Sequence, residues 1–159
     1  NDKAPEFELK DKDGTLWNLK NINPDKTKFL VLYFYPKDNT PGCTIEAKEF
    51  SSLLQEFKKM KTEVIGISGG DEKSKKKFYS SCNLNANLVL LSDVDFSVCK
   101  KYGVYGEKSF MGKKFLGIKR TTFIIENIDG NKKIIKVYEN VKALGHAKEI
   151  LEFILHKVS

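Results

Sequence analysis

Residues 33–50 read YFYPKDNTPGCTIEAKEF, which places one thiol, Cys43, directly after Pro-Gly and three residues beyond Thr40. An apolar run ends at Pro36 and a short KDN loop follows. Thr40 and Pro41 then read as the N-cap and the first residue of a helix. On that frame Cys43 lies in the first helical turn, where unpaired backbone N–H groups and the positive end of the helix dipole favour a thiolate. The thiolate is the nucleophilic form of cysteine. Gly42 leaves room for a substrate to approach the backbone. A lone cysteine is by habit a small buried hydrophobe, so it is the surrounding Pro-loop-Thr-Pro-Gly context that points to chemistry. Arg120 is the second candidate. The chain holds 28 Lys and Arg together, and Arg120 is the one arginine among them. An arginine in so lysine-biased a sequence marks a site that needs a planar, permanently charged fork.

The other thiols are Cys82 and Cys99. An odd, widely spaced set is not a secreted disulfide framework, and without a C-x-x-C pair neither dithiol exchange nor the usual zinc geometry is indicated. His146 and His156 have no cysteine nearby in sequence, so no metal and no cofactor is expected. A reducing, intracellular setting, cytoplasmic or nuclear, fits this usage. The sequence starts at Asn1, which suggests trimming, and a targeting segment upstream would lie outside it. The formal charge of +7 comes from scattered lysines. The densest run, KSKKK at 73–77, reads as a solvated surface. Nucleic-acid binding is weakly supported, since a groove binder would add arginines and interleaved aromatics. Longer apolar runs are also missing: FLVLYFY at 29–35 is strand-sized, far short of the ~20 residues of a membrane span.

The elements that must position these residues follow from periodicity. PEFELKDKDGTLWNL alternates around a DKDG turn and reads as an N-terminal hairpin. FLVLYFYP (29–36), EVIGIS (63–68) and LVLLSD (88–93) lack alternation and read as strands buried on both faces. Residues 41–60 carry Ala47, Phe50, Leu54 and Phe57 as one helical stripe. Residues 71–82 read as a polar helix and 95–104 as a short one. Residues 119–139 form a hairpin about Asp-Gly, and 145–158 an amphipathic helix. Strands joined through helices pair in parallel, and the late hairpin adds an antiparallel part. The order suits one α/β domain over residues 1–159, a thioredoxin-like sandwich whose mixed sheet has helices on both faces. A flavodoxin-like sheet shares the pattern but needs a phosphate loop after its first long strand, where none is found.

The stretch YPKDNTPGCTIEAKEF resembles the peroxiredoxin signature P-x-x-x-T/S-x-x-C, filled by Pro36, Thr40 and Cys43. TPGCT with Glu46 and Ala47 is similar to the peroxiredoxin Q, or bacterioferritin comigratory protein, subfamily. The likeness runs from about residue 3 to 156, through APEFELKDKDG and LLSDVDFSVCKKYGVYGEKSFMGKKFLGIKRTTFII. It implies a cofactor-free thiol peroxidase. Cys43 would attack a hydroperoxide and become a sulfenic acid. Thr40 would hydrogen-bond the peroxide or thiolate, Arg120 would stabilise the charge, and Pro36 would shield the pocket. Glu46 would either orient Arg120 or complement the helix dipole.

The resemblance also implies a resolving thiol. The position used by many relatives, five residues after Cys43, holds Lys48. Other relatives place the resolver on the helix after the next strand. Cys82 lies there, about three residues beyond the usual slot, which is nearly one helical turn. A bridge needs Cα atoms within about 7 Å, so local unwinding would accompany it. The alternatives are an external thiol and Cys99, whose apolar neighbours favour a core role. The implied reductant is thioredoxin, glutaredoxin or glutathione, and the implied state is a monomer. Two competing readings are a thiol redox relay and a basic thioredoxin-fold binding module with little peroxidase activity.

Overall fold

A computed structural model of the chain describes residues 2–158. In chain order the strands are β1 (Glu8–Lys10), β2 (Leu16–Asn18), β3 (Phe29–Phe34), β4 (Thr62–Ser68), β5 (Val89–Ser92), β6 (Tyr105–Phe110), β7 (Lys113–Ile118), β8 (Thr121–Ile128) and β9 (Asn131–Tyr138). The helices are α1 (Pro41–Lys59), α2 (Glu72–Cys82), α3 (Ser97–Lys101) and α4 (His146–Val158), with a 3-10 turn at Leu19–Asn21. Seven strands form one sheet in the order β2-β1-β5-β4-β3-β8-β9. β3, β4 and β5 run parallel, while β8 and β9 add antiparallel strands on one side and β1 and β2 on the other.

Strand β3 is buried along its whole length because it lies inside the sheet with both faces covered. Its side chains alternate as pleating requires. Phe29, Val31 and Tyr33 join a core with Phe50 and Phe57 of α1, Phe78 of α2 and Ile150 and Ile154 of α4. Leu30, Leu32 and Phe34 join a second core with Leu19, Val98 of α3, Tyr102 and Val104. Helices therefore cover both faces, as expected. The β3–β8 register pairs Phe34 with Thr121. Residue 120 consequently emerges beside the C-terminal end of β3, where the loop into α1 begins.

Two features depart from the sequence expectation. A second hairpin, β6–β7, forms a separate two-stranded sheet that periodicity did not reveal. Its turn uses Met111 and Gly112, both at positive φ, in place of the Asn-Gly or Asp-Gly signal. Its strands carry lysine and glycine where most strands carry β-branched residues. The Asp129-Gly130 turn between β8 and β9 does follow the rule, with both residues at positive φ. The second departure lies in KSKKK. Lys73, Lys76 and Lys77 are exposed, but Lys75 is completely buried, so the run is not a uniformly solvated surface. The physical reason is register: Lys75, Phe78, Tyr79 and Cys82 are the buried side of α2.

Phe50 joins α1 to the sheet by stacking on Tyr33 at 4.6 Å between ring centroids, and it is fully buried. Phe50→Ala is expected to lower unfolding free energy by about 3–5 kcal/mol in urea denaturation. A loss under about 1 kcal/mol would show that α1 is held in place by other contacts.

Candidate active site

The chain leaves β3, passes the buried Tyr35 and half-buried Pro36, and enters α1 at Pro41. Thr40 occupies the N-cap position in extended conformation, but its side chain makes no capping bond. Its hydroxyl instead donates to the Lys37 carbonyl at 3.1 Å. That leaves the oxygen lone pairs of Thr40 as acceptors. Cys43 follows in the first turn of α1 and is only 2% exposed.

Arg120 reaches this turn from just before β8. Its Nη2 donates to Cys43 Sγ at 3.3 Å and its Nη1 to Glu46 Oε1 at 2.6 Å. Cys43 and Glu46 are three residues apart and share one side of α1, so a single guanidinium spans both. Glu46 therefore contacts Arg120 directly while standing near the start of α1. Gly42 was expected to admit a substrate, but the space over its Cα belongs to the arginine. A Cβ there would lie 3.1 Å from Nη2, so a side chain at 42 would press on the fork.

Burial pushes the Glu46 carboxyl up to about 7, with Arg120 offsetting part of that rise. Burial also opposes the Arg120 charge, yet Glu46 and Cys43 beside it hold its pKa above the ordinary value. Among the described residues, Oε2 of Glu46 and the hydroxyl of Tyr33 are buried without a hydrogen-bond partner. Lys108 on β6 approaches from the second hairpin. Partial burial lowers its pKa, Arg120 adds to that, and Cys43 acts the other way.

Cys82 ends α2 and meets the same loop from the side. Its Sγ donates to Asn39 Oδ1 at 3.2 Å and lies 3.6 Å from Thr44 Oγ1. Asn39 and Thr44 flank Thr40 and Cys43, so the site gathers Cys82 with the other expected residues. Cys99 does not join them. It belongs to the core on the opposite face of the sheet. Burial and the neighbouring Asp93 raise its pKa far above that of an ordinary thiol. All three cysteines are free thiols.

Sequence reasoning missed Asp38. Its carboxylate is buried in the loop between β3 and α1 and accepts bonds from Tyr35, Ser68, Ser74 and Lys75. The available signal was Lys75, a lysine standing on the apolar stripe of α2. Elsewhere, a cleft of 710 Å³ lined in part by Lys3, Tyr102, Phe123 and Ile134 includes none of the residues around the thiol. Among the described residues, no group of three or more His, Cys, Asp or Glu side chains is placed to hold a metal ion. No described helix is long and apolar enough to cross a membrane.

Known proteins resemble this chain over most of its length. The model of the AhpC/TSA family matches residues 1–137. A putative peroxiredoxin bcp of Helicobacter pylori is 49% identical over 149 residues, covering 94% of this chain and 93% of its own. Peroxiredoxin Bcp of Escherichia coli is 39% identical over 153 residues, covering 96% and 93%. Among solved structures, the bacterioferritin comigratory protein of Xanthomonas campestris, studied for alkyl peroxide reduction, superposes with a TM-score of 0.83. It is 33% identical, with 96% of this chain and 92% of that one covered. Peroxidoxin BcpB of Mycobacterium tuberculosis gives 0.80 at 31% identity, with 98% and 95% covered. The thioredoxin-like fold is common to this chain and these structures.

The raised Glu46 carboxyl sets a pH dependence. A carboxyl whose folded pKa lies above the unfolded value contributes stability below about 4.5 and loses it as pH rises through about 7. Glu46→Gln lacks that titration. Its stability relative to the parent is therefore expected to improve by about 1–3 kcal/mol between pH 4.5 and 7.5, read from urea midpoints. A difference that stays flat across that window would show that Glu46 keeps an ordinary carboxyl.

Proposed function

This chain belongs to the AhpC/TSA family, with peroxiredoxin Bcp proteins among its relatives, and on that premise we propose that Cys43 is its peroxidatic thiol, served by Thr40, Arg120 and Pro36. It is a thiol-dependent peroxidase. The single observation carrying the assignment is the 3.3 Å contact from Arg120 Nη2 to Cys43 Sγ at the start of a helix. The peroxidase reading is favoured over a relay or a binding module.

The reduced Cys43 sulfur attacks the terminal oxygen of a hydrogen or alkyl hydroperoxide. The S–O bond forms as the O–O bond breaks, sulfur is oxidised to sulfenic acid, and water or an alcohol leaves after taking up a proton. Arg120 stabilises both the sulfur charge and the charge developing on the leaving oxygen. The Thr40 hydroxyl donates its hydrogen bond to the Lys37 carbonyl, so its oxygen accepts from the peroxide O–H and orients it. The Cys43 backbone N–H is a further fixed donor at the helix start. Pro36 restricts access to the sulfur.

Cys82 is the resolving thiol in this reading. Its contacts with Asn39 and Thr44 support the choice, because both are near neighbours of Cys43 in the chain. Attack of the Cys82 sulfur on the sulfenic acid forms an S–S bond and releases water. Bridging requires the first turn of α1 to unwind, since Cys43 is held toward Arg120 and Cys82 toward Asn39. A dithiol such as thioredoxin or glutaredoxin, or glutathione, then reduces the bridge. Three free thiols suit a reducing interior, cytoplasmic or nuclear, and the monomeric state is proposed from the likeness to the Bcp relatives alone.

In stopped-flow, the reduced protein is expected to consume hydrogen peroxide in a burst that Cys43→Ser abolishes. A surviving burst in that variant would remove Cys43 from its role. After one equivalent of peroxide, peptide mapping is expected to recover a 43–82 disulfide. Cys82→Ser should keep the first burst and lose at least about tenfold in thioredoxin-supported turnover. Undiminished turnover would assign resolution to an external thiol.

A further inference from the structure

Asp38 is two residues before Thr40, in the loop that sets where α1 begins. Its carboxylate is anchored from three elements. Tyr35, just after β3, donates to Oδ1 at 2.6 Å. Ser68, ending β4, donates to Oδ1 at 3.1 Å, and Ser74 of α2 donates to Oδ2 at 2.7 Å. Lys75 of α2 reaches both oxygens, at 3.2 and 3.1 Å, and its remaining bonds go to Ser68 Oγ at 2.7 Å and the Gly70 carbonyl at 3.0 Å. The two charged side chains are 3% and 0% exposed. The backbone is shaped around this cluster: a Cβ on Gly70 would sit 2.0 Å from Asp38 Oδ2. Among the described residues, none of these side chains hydrogen-bonds to Cys43 or Arg120.

We propose that the buried Asp38–Lys75 pair positions the loop 36–40 for the peroxide step, fixing Thr40 over the thiol and holding α2 against the reactive turn. The inference rests on Cys43 being the peroxidatic thiol. A buried ion pair costs desolvation and is weak evidence for stability alone, and one known use of such pairs is to fix a geometry. Here the geometry fixed is that of the segment carrying a substrate-contacting hydroxyl. Asp38 and Lys75 are positioning residues, acting through Thr40 and the start of α1. They are not charge partners of the sulfur, because the Arg120–Glu46 fork already supplies its electrostatics.

That division of labour has a specific readout. Peroxide reduction needs both the thiolate and a correctly placed Thr40, whereas alkylation by iodoacetamide needs only an accessible thiolate. In Asp38→Asn and Lys75→Met, the single-turnover rate with hydrogen peroxide is expected to fall at least tenfold. Alkylation at pH 7, read at the Cys43 peptide by mass spectrometry, is expected to stay level or rise. Gly70→Ala displaces the carboxylate without removing either charge and is expected to slow the peroxide step at least threefold with the same alkylation signature. It decides the matter together with Asp38→Asn if Lys75→Met fails to fold. Peroxide rates within twofold of the parent would overturn the pair's role, as would a parallel fall of both reactions, which would signal loss of the thiolate. Peroxide consumption that survives Cys43→Ser would instead remove the premise about the thiol, so the two failures are told apart.

Discussion

A guanidinium holds its donors in one rigid plane, and two of them grip the first turn of α1: Arg120 Nη1 on Glu46 and Nη2 on Cys43. Each part of the fold near the site serves that plane. The antiparallel pairing of β8 with β3 delivers residue 120 to the end of the sheet. The helical spacing of 43 and 46 presents thiol and carboxylate on one side. Gly42 leaves the guanidinium its space, since a Cβ would stand 3.1 Å from Nη2. Lysine could supply the charge but not two divergent donors at fixed angles. The arrangement is costly to bury, which is visible in a Glu46 carboxyl raised to about 7 while bonded to a cation.

Around the fork the loop from β3 to α1 is held by a second buried ion pair, Asp38 with Lys75. The two pairs lie on either side of the same short segment. One anchors the first turn of α1 to Arg120, just before β8, and the other anchors the loop to α2. Cys82, at the far end of α2, touches Asn39 and Thr44 of that segment. A rigid reactive turn and a nearby second thiol are therefore built into adjoining parts of one structure. In the proposed cycle, catalysis asks the turn to be fixed, and bridging asks it to yield.

The helix start around Cys43 was legible in the sequence because its signals are local. Thr-Pro ahead of an apolar-periodic run sets a helix start, and that start places Cys43. Arg120 was legible by scarcity, an arginine among lysines. The cores were legible too, since β3 is unbroken and apolar and α1 carries a regular stripe. The β6–β7 hairpin escaped because its strands are polar and exposed and its turn is Met111-Gly112. Asp38 and Lys75 escaped for a different reason. Asp38 is ordinary in its loop, and only the parallel packing of β3 and β4 with α2 brings it to Lys75 over 37 residues. Composition pointed to solvated lysines, and the helical period at 75, 78, 79 and 82 was the contrary sign. Thr40 was correctly placed as an N-cap, but the destination of its hydroxyl, the Lys37 carbonyl, is a matter of loop geometry that no pattern encodes.

In the proposed mechanism the two-donor geometry of Arg120, and not its charge alone, equips Cys43 for peroxide. Arg120→Lys tests it most directly, because it keeps the positive charge and removes the fork. Stopped-flow measurement of the reduced variant with hydrogen peroxide is expected to give a second-order rate constant roughly 100-fold below the parent, the scale of losing one preorganised donor. A rate within about threefold of the parent would contradict the account and leave a generic cation as sufficient.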